Sequence, residues 1–220
     1  MNVLLTGATG MIGSLVVKGC LLDGRVRKVV SLTRRPSGHT SDKLVEVVIS
    51  DFSDLDESAS CFDDIDVVFY CLGVYTGTVD RDTFREITDD YPEALAKLLL
   101  KRNSNARFCL LSGAGADRKE KSRMAFAMDK GVIENRLSQL GFSEFYAFRP
   151  AYIYPVKRRE EPNFTYRLTR SLYPVLKLFG DNASITSEQL AQAMLCVGLE
   201  GGEKEILENK DIVKIASRLP

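Results

Sequence analysis

The chain has 220 residues, 45% of them apolar, and this is enough for one domain with a substantial core. Its 30 basic and 30 acidic residues balance, which argues against the basic surface typical of nucleic-acid-binding proteins. The apolar runs are too short to span a membrane, and the first residues lack the charged start and cleavage site of a signal peptide. We therefore expect a cytoplasmic protein that binds neither nucleic acid nor membrane.

Cysteine and histidine usage predicts neither a disulfide set nor a metal site. None of the five cysteines forms a CxxC pair, and Cys71, Cys109 and Cys196 lie in apolar runs, as reduced buried thiols do. The single histidine, His39, lies in a loop rich in Pro, Ser and Gly, where we expect it to be solvated. One imidazole also argues against histidine-based triads and multi-histidine metal centres.

The first residues predict a loop that binds a dinucleotide. A short apolar strand over residues 2–6 leads into Gly7, Gly10 and Gly13, and a helical stretch follows over 14–22. Gly7 permits a sharp turn, Gly10 lets a pyrophosphate approach the backbone, and Gly13 lets the helix pack on the strand. The alternative is a glycine-rich turn without a ligand. The predicted cofactor contacts in this loop are Gly7, Thr9, Gly10, Met11 and Ile12.

Strand and helix patterns alternate along the next part of the chain. Further strands are predicted at 28–33, 44–49, 66–71, 107–112 and 144–149. Helices are predicted at 54–62, at 83–102 with a kink or a new start at Pro92, and at 121–140 with Gly141 after its end. Beyond Pro150 the patterns predict helices at 164–179, at 188–199 with Thr186 or Ser187 as cap, and at 211–217, with a short strand at 205–207.

This alternation predicts an α/β fold with a doubly wound parallel sheet of Rossmann type and strand order 3-2-1-4-5-6. The ligand is expected at the carboxyl ends of the strands, near the switch between strands 1 and 4. No linker or repeat divides the chain, so residues 1–220 are expected to form a single domain. Within it, residues 1–150 form the cofactor core and residues 151–220 a small lobe on the substrate side.

The end of the second strand favours NADP over NAD. NAD-binding proteins usually place an acidic residue there, but the sequence reads Thr33-Arg34-Arg35. A carboxylate would repel the 2′-phosphate of NADP, whereas a guanidinium can bind it through two hydrogen bonds. The alternative is two solvated arginines in a surface turn. Asp51 and Phe52, at the end of the third strand, are expected to flank the adenine.

Several segments together resemble the extended and atypical short-chain dehydrogenases/reductases. The loop Thr6–Gly13 is similar to the cofactor loop of that superfamily, and Cys71-Leu72-Gly73 lies where its members line the cofactor after strand 4. The order of the later segments resembles the Tat-interacting-protein-type oxidoreductases and epimerase/dehydratase-like bacterial relatives. Those segments are Phe84–Tyr91, Leu110–Ser112, Lys130-Gly131, Glu134 and Phe148–Pro150.

The resemblance implies an NAD(P)-dependent oxidoreductase that uses a Ser, a Tyr and a Lys, the last two spaced Tyr-x-x-x-Lys on one helix face. Ser112 and Lys130 match the serine and the lysine, although Gly113 is an alternative for the serine position. Phe126 stands at the tyrosine position and has no proton to donate. The resemblance also implies that Cys71, Leu72, Gly73, Lys130, Arg149 and Pro150 contact the cofactor.

Three interpretations follow from Phe126. In the first, the protein binds NADP without turnover, as a sensor or scaffold. In the second, it is a reductase that takes the proton from water or from another side chain. In the third, the substrate is an activated double bond whose reduction needs no tyrosine. Alternative proton donors are Tyr75, Tyr152 and Tyr154. The basic run 157–159 and the later residues Tyr166, Arg167, Arg170 and Tyr173 are candidates for the substrate cleft. The sequence does not predict which small molecule is the substrate. It also leaves open whether the protein forms a homodimer or binds a protein partner.

Overall fold

Seven parallel strands form the centre of the molecule in the computed structural model, which describes residues 1–52, 55, 60–74, 78–156 and 182–218. Their order is β3-β2-β1-β4-β5-β6-β9, so the predicted order 3-2-1-4-5-6 is confirmed and one further strand extends it. A separate parallel pair joins β7 to β8. The strands are β1 Asn2–Thr6, β2 Lys28–Thr33, β3 Leu44–Val48, β4 Val67–Tyr70, β5 Arg107–Leu111, β6 Glu144–Arg149, β7 Tyr152–Tyr154, β8 Ser184–Thr186 and β9 Ile206–Glu208.

Helices cover both faces of the sheet. Alternate residues of β1 point to opposite faces, so Val3 and Leu5 belong to one apolar cluster and Leu4 to the other. The first cluster takes its helical side chains from α1, α5 and α6, and the second takes them from α3 and α4. The α-helices are α1 Met11–Leu22, α2 Arg81–Arg85, α3 Tyr91–Arg102, α4 Ala125–Gln139, α5 Ser187–Glu200 and α6 Asn209–Ala216.

The helix predicted over 83–102 is three pieces rather than one. A π-helical turn, Glu86–Asp90, separates α2 from α3, and Pro92 is the second residue of α3. Proline lacks an N–H group, and its ring clashes with the carbonyl four residues earlier in a regular helix. The wider π-helical turn accommodates both effects, so of the two alternatives predicted at Pro92, a kink or a new start, the structure shows a new start.

The helix predicted from residue 121 begins four residues later, at Ala125. The carboxylate of Asp117 accepts backbone N–H bonds from Lys119, Lys121 and Ser122 at 2.8–3.0 Å. These bonds hold the chain in turns, because a side-chain acceptor competes with the helical carbonyls for the same N–H groups. The helix ends as expected, with Gly141 at φ +98° after its last turn.

Other expectations need correction or lie outside the described residues. The β7–β8 pair was not predicted, and the described end of the helix expected over 54–62 forms a 3₁₀ turn, Ser60–Phe62. His39 is half-buried rather than solvated, because its loop folds back over α1 and its Nε2 atom lies 3.0 Å from the Ser14 hydroxyl. The helix expected over 164–179, residues 53, 54 and 56–59, and the candidates Tyr75, Tyr166, Arg167, Arg170, Tyr173 and 157–159 fall outside the described part.

Thr186 caps α5, as the sequence predicts. Its hydroxyl accepts the Gln189 N–H, and the Gln189 side chain accepts the Thr186 N–H, both at 3.1 Å. We expect Thr186→Ala to destabilise the fold by about 1 kcal/mol, since one cap is lost, and Thr186→Ser to cost much less. Thermal unfolding of the two variants measures this difference as a fall in Tm of about 2–4 °C for the alanine. Equal Tm values for the two variants would show that the hydroxyl does not stabilise α5.

Candidate active site

The turn after β1 is held by backbone contacts that only glycine permits. Gly7 adopts φ +77° and its carbonyl accepts the Gly10 N–H at 2.8 Å. A Cβ at Gly7 would lie 2.6 Å from the Cys71 carbonyl oxygen, and one at Gly13 would lie 2.2 Å from the Gly7 carbonyl oxygen. Helix α1 therefore begins directly against the strand end, and its first N–H groups face the edge of the sheet where the ligand was predicted.

A cleft of about 570 Å³ opens at this edge. It lies at the carboxyl ends of β1, β4, β5 and β6, where ligands of open α/β sheets bind. Nine of the residues predicted to be catalytic or cofactor-binding line it, and Phe126 joins them. The lining residues are Gly10, Met11, Ile12, Cys71, Leu72, Gly73, Val74, Leu111, Ser112, Gly113, Ala114, Phe126, Lys130, Pro150, Ala151, Tyr152, Ile153 and Pro155.

Phe126 and Gly113 meet in the wall of the cleft. A Cβ built on Gly113 would lie 2.7 Å from Cζ of Phe126, so the tip of the ring takes the space that a side chain at position 113 would need. Phe84 packs against the same ring, with centroids 6.5 Å apart. The wall therefore presents apolar atoms at two adjacent positions, and neither residue offers a hydroxyl to a reacting oxygen.

The Ser112 hydroxyl is engaged by a buried carboxylate. It donates to Oε1 of Glu134 at 2.5 Å, and Glu134, fully buried in α4, also binds the Arg149 guanidinium through Nε and Nη2 at 2.5–3.2 Å. The remaining Nη1 of Arg149 donates to Glu208 of β9 at 3.0 Å. Because its single hydroxyl proton is donated to Glu134, Ser112 can accept a hydrogen bond from a ligand but cannot donate one. Arg149 likewise faces Glu134 rather than the cleft.

Lys130 supplies the one charged side chain among the described residues that line the cleft. Its Nζ atom lies 3.5 Å from the Leu111 carbonyl, and only 8% of the residue is exposed. Burial lowers the pKa of its amine, while the nearby carboxylates Asp89, Glu134 and Asp129 oppose this effect. The cleft thus holds one amine whose proton is bound less tightly than that of a surface lysine.

The end of β2 presents its two arginines to solvent. The buried Thr33 hydroxyl donates to the Arg35 carbonyl at 2.6 Å and fixes the turn. Arg34 and Arg35 are exposed, and neither forms an ion pair with another described residue. Both guanidinium groups are therefore available to an anion that reaches this turn.

The two residues predicted to flank the adenine, Asp51 and Phe52, differ in how exposed their side chains are. Phe52 is buried and its ring stacks on Tyr91, with centroids 5.7 Å apart. Asp51 is exposed, and its Oδ1 accepts the Tyr91 hydroxyl at 3.1 Å. Of the two side chains, only that of Asp51 is therefore exposed, while the Phe52 side chain belongs to the core.

Sequence reasoning missed several residues that shape the cleft. Asn209, at the start of α6, accepts the Ala151 N–H at 2.8 Å and donates to the Ser184 carbonyl at 3.0 Å, and so it positions the segment after β6. Glu134 was noted only as part of a resemblance. The sequence signal that could have identified Glu134 is its position four residues after Lys130, which puts both side chains on the same helix face. Two residues that the sequence did identify, Tyr152 and Cys71, also line the cleft: Tyr152 has a buried hydroxyl, and burial raises the pKa of the Cys71 thiol.

Two classes of site are not seen within the described ranges. These residues contain no group of three His, Cys, Asp or Glu side chains arranged to hold a metal ion. Across the same ranges, no helix has both the length and the apolar character that crossing a bilayer requires.

Comparison with known proteins confirms the resemblance seen in the sequence. The profile of a family described as NAD(P)H-binding matches residues 7–195. The rat protein HTATIP2 is 29% identical over 219 residues, which cover 97% of this chain and 88% of the rat protein. The chloroplastic divinyl chlorophyllide a 8-vinyl-reductase of Cucumis sativus is 31% identical over 77% of this chain and 38% of its own length.

Solved structures share the fold at low sequence identity. MoeE5 in complex with UDP-glucose and NAD superposes with a TM-score of 0.69 at 18% identity, over 99% of this chain and 81% of MoeE5. The putative NAD-dependent epimerase/dehydratase of Bacillus halodurans gives 0.67 at 16% identity, over the full length of both chains. At these identities the comparison establishes the Rossmann-type fold and no substrate.

The buried Glu134–Arg149 pair makes a clear prediction for stability. Glu134→Ala leaves the Arg149 guanidinium and the Ser112 hydroxyl without their shared acceptor, so we expect a loss of about 3–5 kcal/mol. As a control, Glu205→Ala removes the half-exposed partner of Arg118 and is expected to cost about 0–1 kcal/mol. Urea unfolding of both variants measures the difference, and similar costs would contradict a structural role for the buried pair.

Proposed function

The chain belongs to the NAD(P)H-binding family, and from this premise we propose that it is an NADP-dependent oxidoreductase of the short-chain dehydrogenase/reductase type that acts on a small molecule. The observation that supports the proposal best is the cleft itself. It joins the glycine loop, the residues after β4, Lys130 and the segment from Pro150 onward at one edge of the sheet. These are the parts that a dinucleotide in an open α/β sheet needs.

The residues present fit such a cofactor. Of the three glycines Gly10 lines the cleft, and because it has no Cβ a pyrophosphate can approach the backbone and the first N–H groups of α1, which no side chain caps. We propose that Cys71, Leu72 and Gly73 contact the sugar, that Lys130 binds the ribose hydroxyls and that the backbone near Pro150 holds the carboxamide. When bound, the nicotinamide supplies hydride chemistry.

NADP is favoured over NAD by the charge at the end of β2. Thr33 fixes the turn from inside, and Arg34 and Arg35 extend from it without competing carboxylates among the described residues. A 2′-phosphate placed there gains charge-assisted hydrogen bonds that a 2′-hydroxyl cannot form. Asp51 is proposed to bind the adenine amino group.

The rival proposal is a catalytically impaired protein that binds NADP for regulation or for contact with a partner. Three features favour it: the Phe126 ring, the neighbouring Gly113, and the Ser112 proton held by Glu134. General acid–base assistance is typically worth about 10²–10⁴-fold in rate. A site that lacks it is at best slow in ordinary carbonyl reduction, unless another group supplies the proton.

Residues 151–220 are proposed to supply the substrate side of the single domain. Ala151, Tyr152, Ile153 and Pro155 line the cleft, and Asn209 anchors the segment that carries them. A cytoplasmic location and a homodimer or protein partner remain predictions.

The cofactor assignment is tested by the double variant Arg34→Ala/Arg35→Ala. We expect its affinity for NADPH to fall roughly 10- to 100-fold and its affinity for NADH to change little, because only NADPH carries the 2′-phosphate. Fluorescence or calorimetric titration with both nucleotides measures this. Arg27→Ala is the matched control, since Arg27 is also exposed but lies before the amino end of β2. Equal losses for both nucleotides would contradict NADP selectivity.

The variant Phe126→Tyr distinguishes the enzyme from the impaired binder. If the rest of the site is sound, the new hydroxyl should raise the turnover of an activated carbonyl such as a 1,2-diketone by about 10²-fold, the lower end of general-acid effects, because Ser112 cannot help. NADPH consumption measures the rate. Phe84→Tyr adds a hydroxyl to the adjacent ring, which does not line the cleft, and should leave the rate unchanged. If the variant still binds NADPH but its turnover does not rise, the result would count against a site in which position 126 is the only defect.

A further inference from the structure

Ser112 is held at the cleft as a hydrogen-bond acceptor, and the proposed function does not use this property. Its hydroxyl donates to Oε1 of Glu134 at 2.5 Å. Glu134 has no exposed surface, and the Arg149 guanidinium donates to both of its oxygens, so Glu134 is an ionised acceptor without a proton of its own. The bond therefore runs only from Ser112 to Glu134, and the Ser112 lone pairs are what remains for a ligand.

The surrounding contacts oppose a turn of the Ser112 proton toward the cleft. The Ser112 N–H donates to the Phe148 carbonyl at 2.8 Å, and Nη1 of Arg149 donates to Glu208 at 3.0 Å, so both ends of the network are anchored. If Ser112 donated to a ligand, the buried Glu134 would lose one of its hydrogen bonds. A ligand that accepts has to compete with this charge-assisted bond, whereas a ligand that donates does not.

The neighbouring wall adds no group that reverses this preference. Gly113 has no side chain, and the Phe126 ring that fills its space is a hydrocarbon. Lys130 and Tyr152 also line the cleft, but a donor on either serves a carbonyl oxygen and a hydroxyl oxygen alike, because both oxygens accept. None of the described residues that line the cleft is acidic and most are apolar, which disfavours a cationic amine as the donating group.

We propose that Ser112 determines specificity by accepting a hydrogen bond from a neutral hydroxyl of the substrate, and that Glu134 is the positioning residue that keeps it an acceptor. The cleft then holds an alcohol with an apolar body more tightly than the matching ketone, whose oxygen would face the Ser112 lone pairs. This choice rests on the proposed function, because an alcohol and its ketone are a couple that a nicotinamide cofactor interconverts.

The first test compares α-tetralol with α-tetralone, which share an apolar bicyclic body and differ at one oxygen. Both are titrated by NMR into the protein saturated with tetrahydro-NADP, whose ring neither gives nor takes hydride. Wild type should bind the alcohol more tightly, and Ser112→Ala should lower the ratio of the two affinities about 3- to 10-fold, the worth of one hydrogen bond. Ser143→Ala is the matched control, since this exposed hydroxyl donates to backbone carbonyls and does not line the cleft.

Glu134→Gln tests the carboxylate with a side chain of the same shape. Arg149 offers only donors, so the glutamine oxygen should stay on Arg149 and its NH₂ group should face the Ser112 oxygen. The Ser112 proton then becomes available, and the preference should move further toward the ketone than in Ser112→Ala. A purely structural role for Glu134 would weaken both ligands alike, and that result would overturn its positioning role. If Glu134→Gln does not fold, the ratio in Ser112→Ala decides alone.

The carboxamide NH₂ group of the cofactor is the rival donor to Ser112. The acetylpyridine analogue of NADP tests it, because a methyl group replaces that NH₂ group. Ser112→Ala should change the affinities for NADP and for the analogue by the same factor. A loss confined to NADP would overturn the inference, as would a wild type that binds NADP but does not prefer the alcohol or binds neither tetralin compound. Failure of wild type to bind NADP and NADPH would overturn the proposed function itself.

Discussion

Close packing between the start of α1 and the end of β1 sets the geometry on which the rest depends. A Cβ on Gly13 would lie 2.2 Å from the Gly7 carbonyl oxygen, and a Cβ on Gly7 would lie 2.6 Å from the Cys71 carbonyl oxygen. These contacts fix the direction of α1, which packs with α5 in one apolar cluster. They also aim the first N–H groups of α1 at the cleft. The contacts that build the sheet and the contacts that prepare an anion site are therefore the same.

Some buried charged residues form close ion pairs that stabilise the fold, and others lack such a close partner. Glu134, Arg149 and Glu208 satisfy one another and tie β6, β9 and α4 together, with Ser112 held on the same carboxylate. Asp129 and Arg81 form a second satisfied pair. Lys130 and Asp89 are paired less closely: the Lys130 Nζ lies 3.5 Å from the Leu111 carbonyl oxygen, and the Asp89 Oδ2 lies 3.9 Å from the Arg85 Nε. Since unpaired buried charges are expensive, stability alone does not account for these two residues.

Local patterns predicted most of the fold, and long-range contacts account for what they missed. The strands β2 and β6, the Thr186 cap and the restart at Pro92 follow from neighbouring residues and were predicted from them. The late start of α4 depends on one side chain, Asp117, and the commitment of Ser112 to Glu134 joins residues 22 apart. Similarly, the sequence shows that Phe126 departs from the Tyr-x-x-x-Lys pattern, but only the folded chain shows that Gly113 leaves space for its ring.

The small β7–β8 pair has a consequence for how relatives of this protein can diverge. Tyr152 lies beside Ser184 and Tyr154 beside Thr186, so the strand that leaves the cleft is paired with the strand that leads into α5. A connection whose ends are pinned together can change length at little cost, since each doubling adds only about 0.6 kcal/mol of closure entropy. Thr186 then leads straight into α5. If residues 151–220 supply the substrate side, as proposed, the connection between β7 and β8 can vary in length between two fixed points while the strands of the cofactor core keep their places.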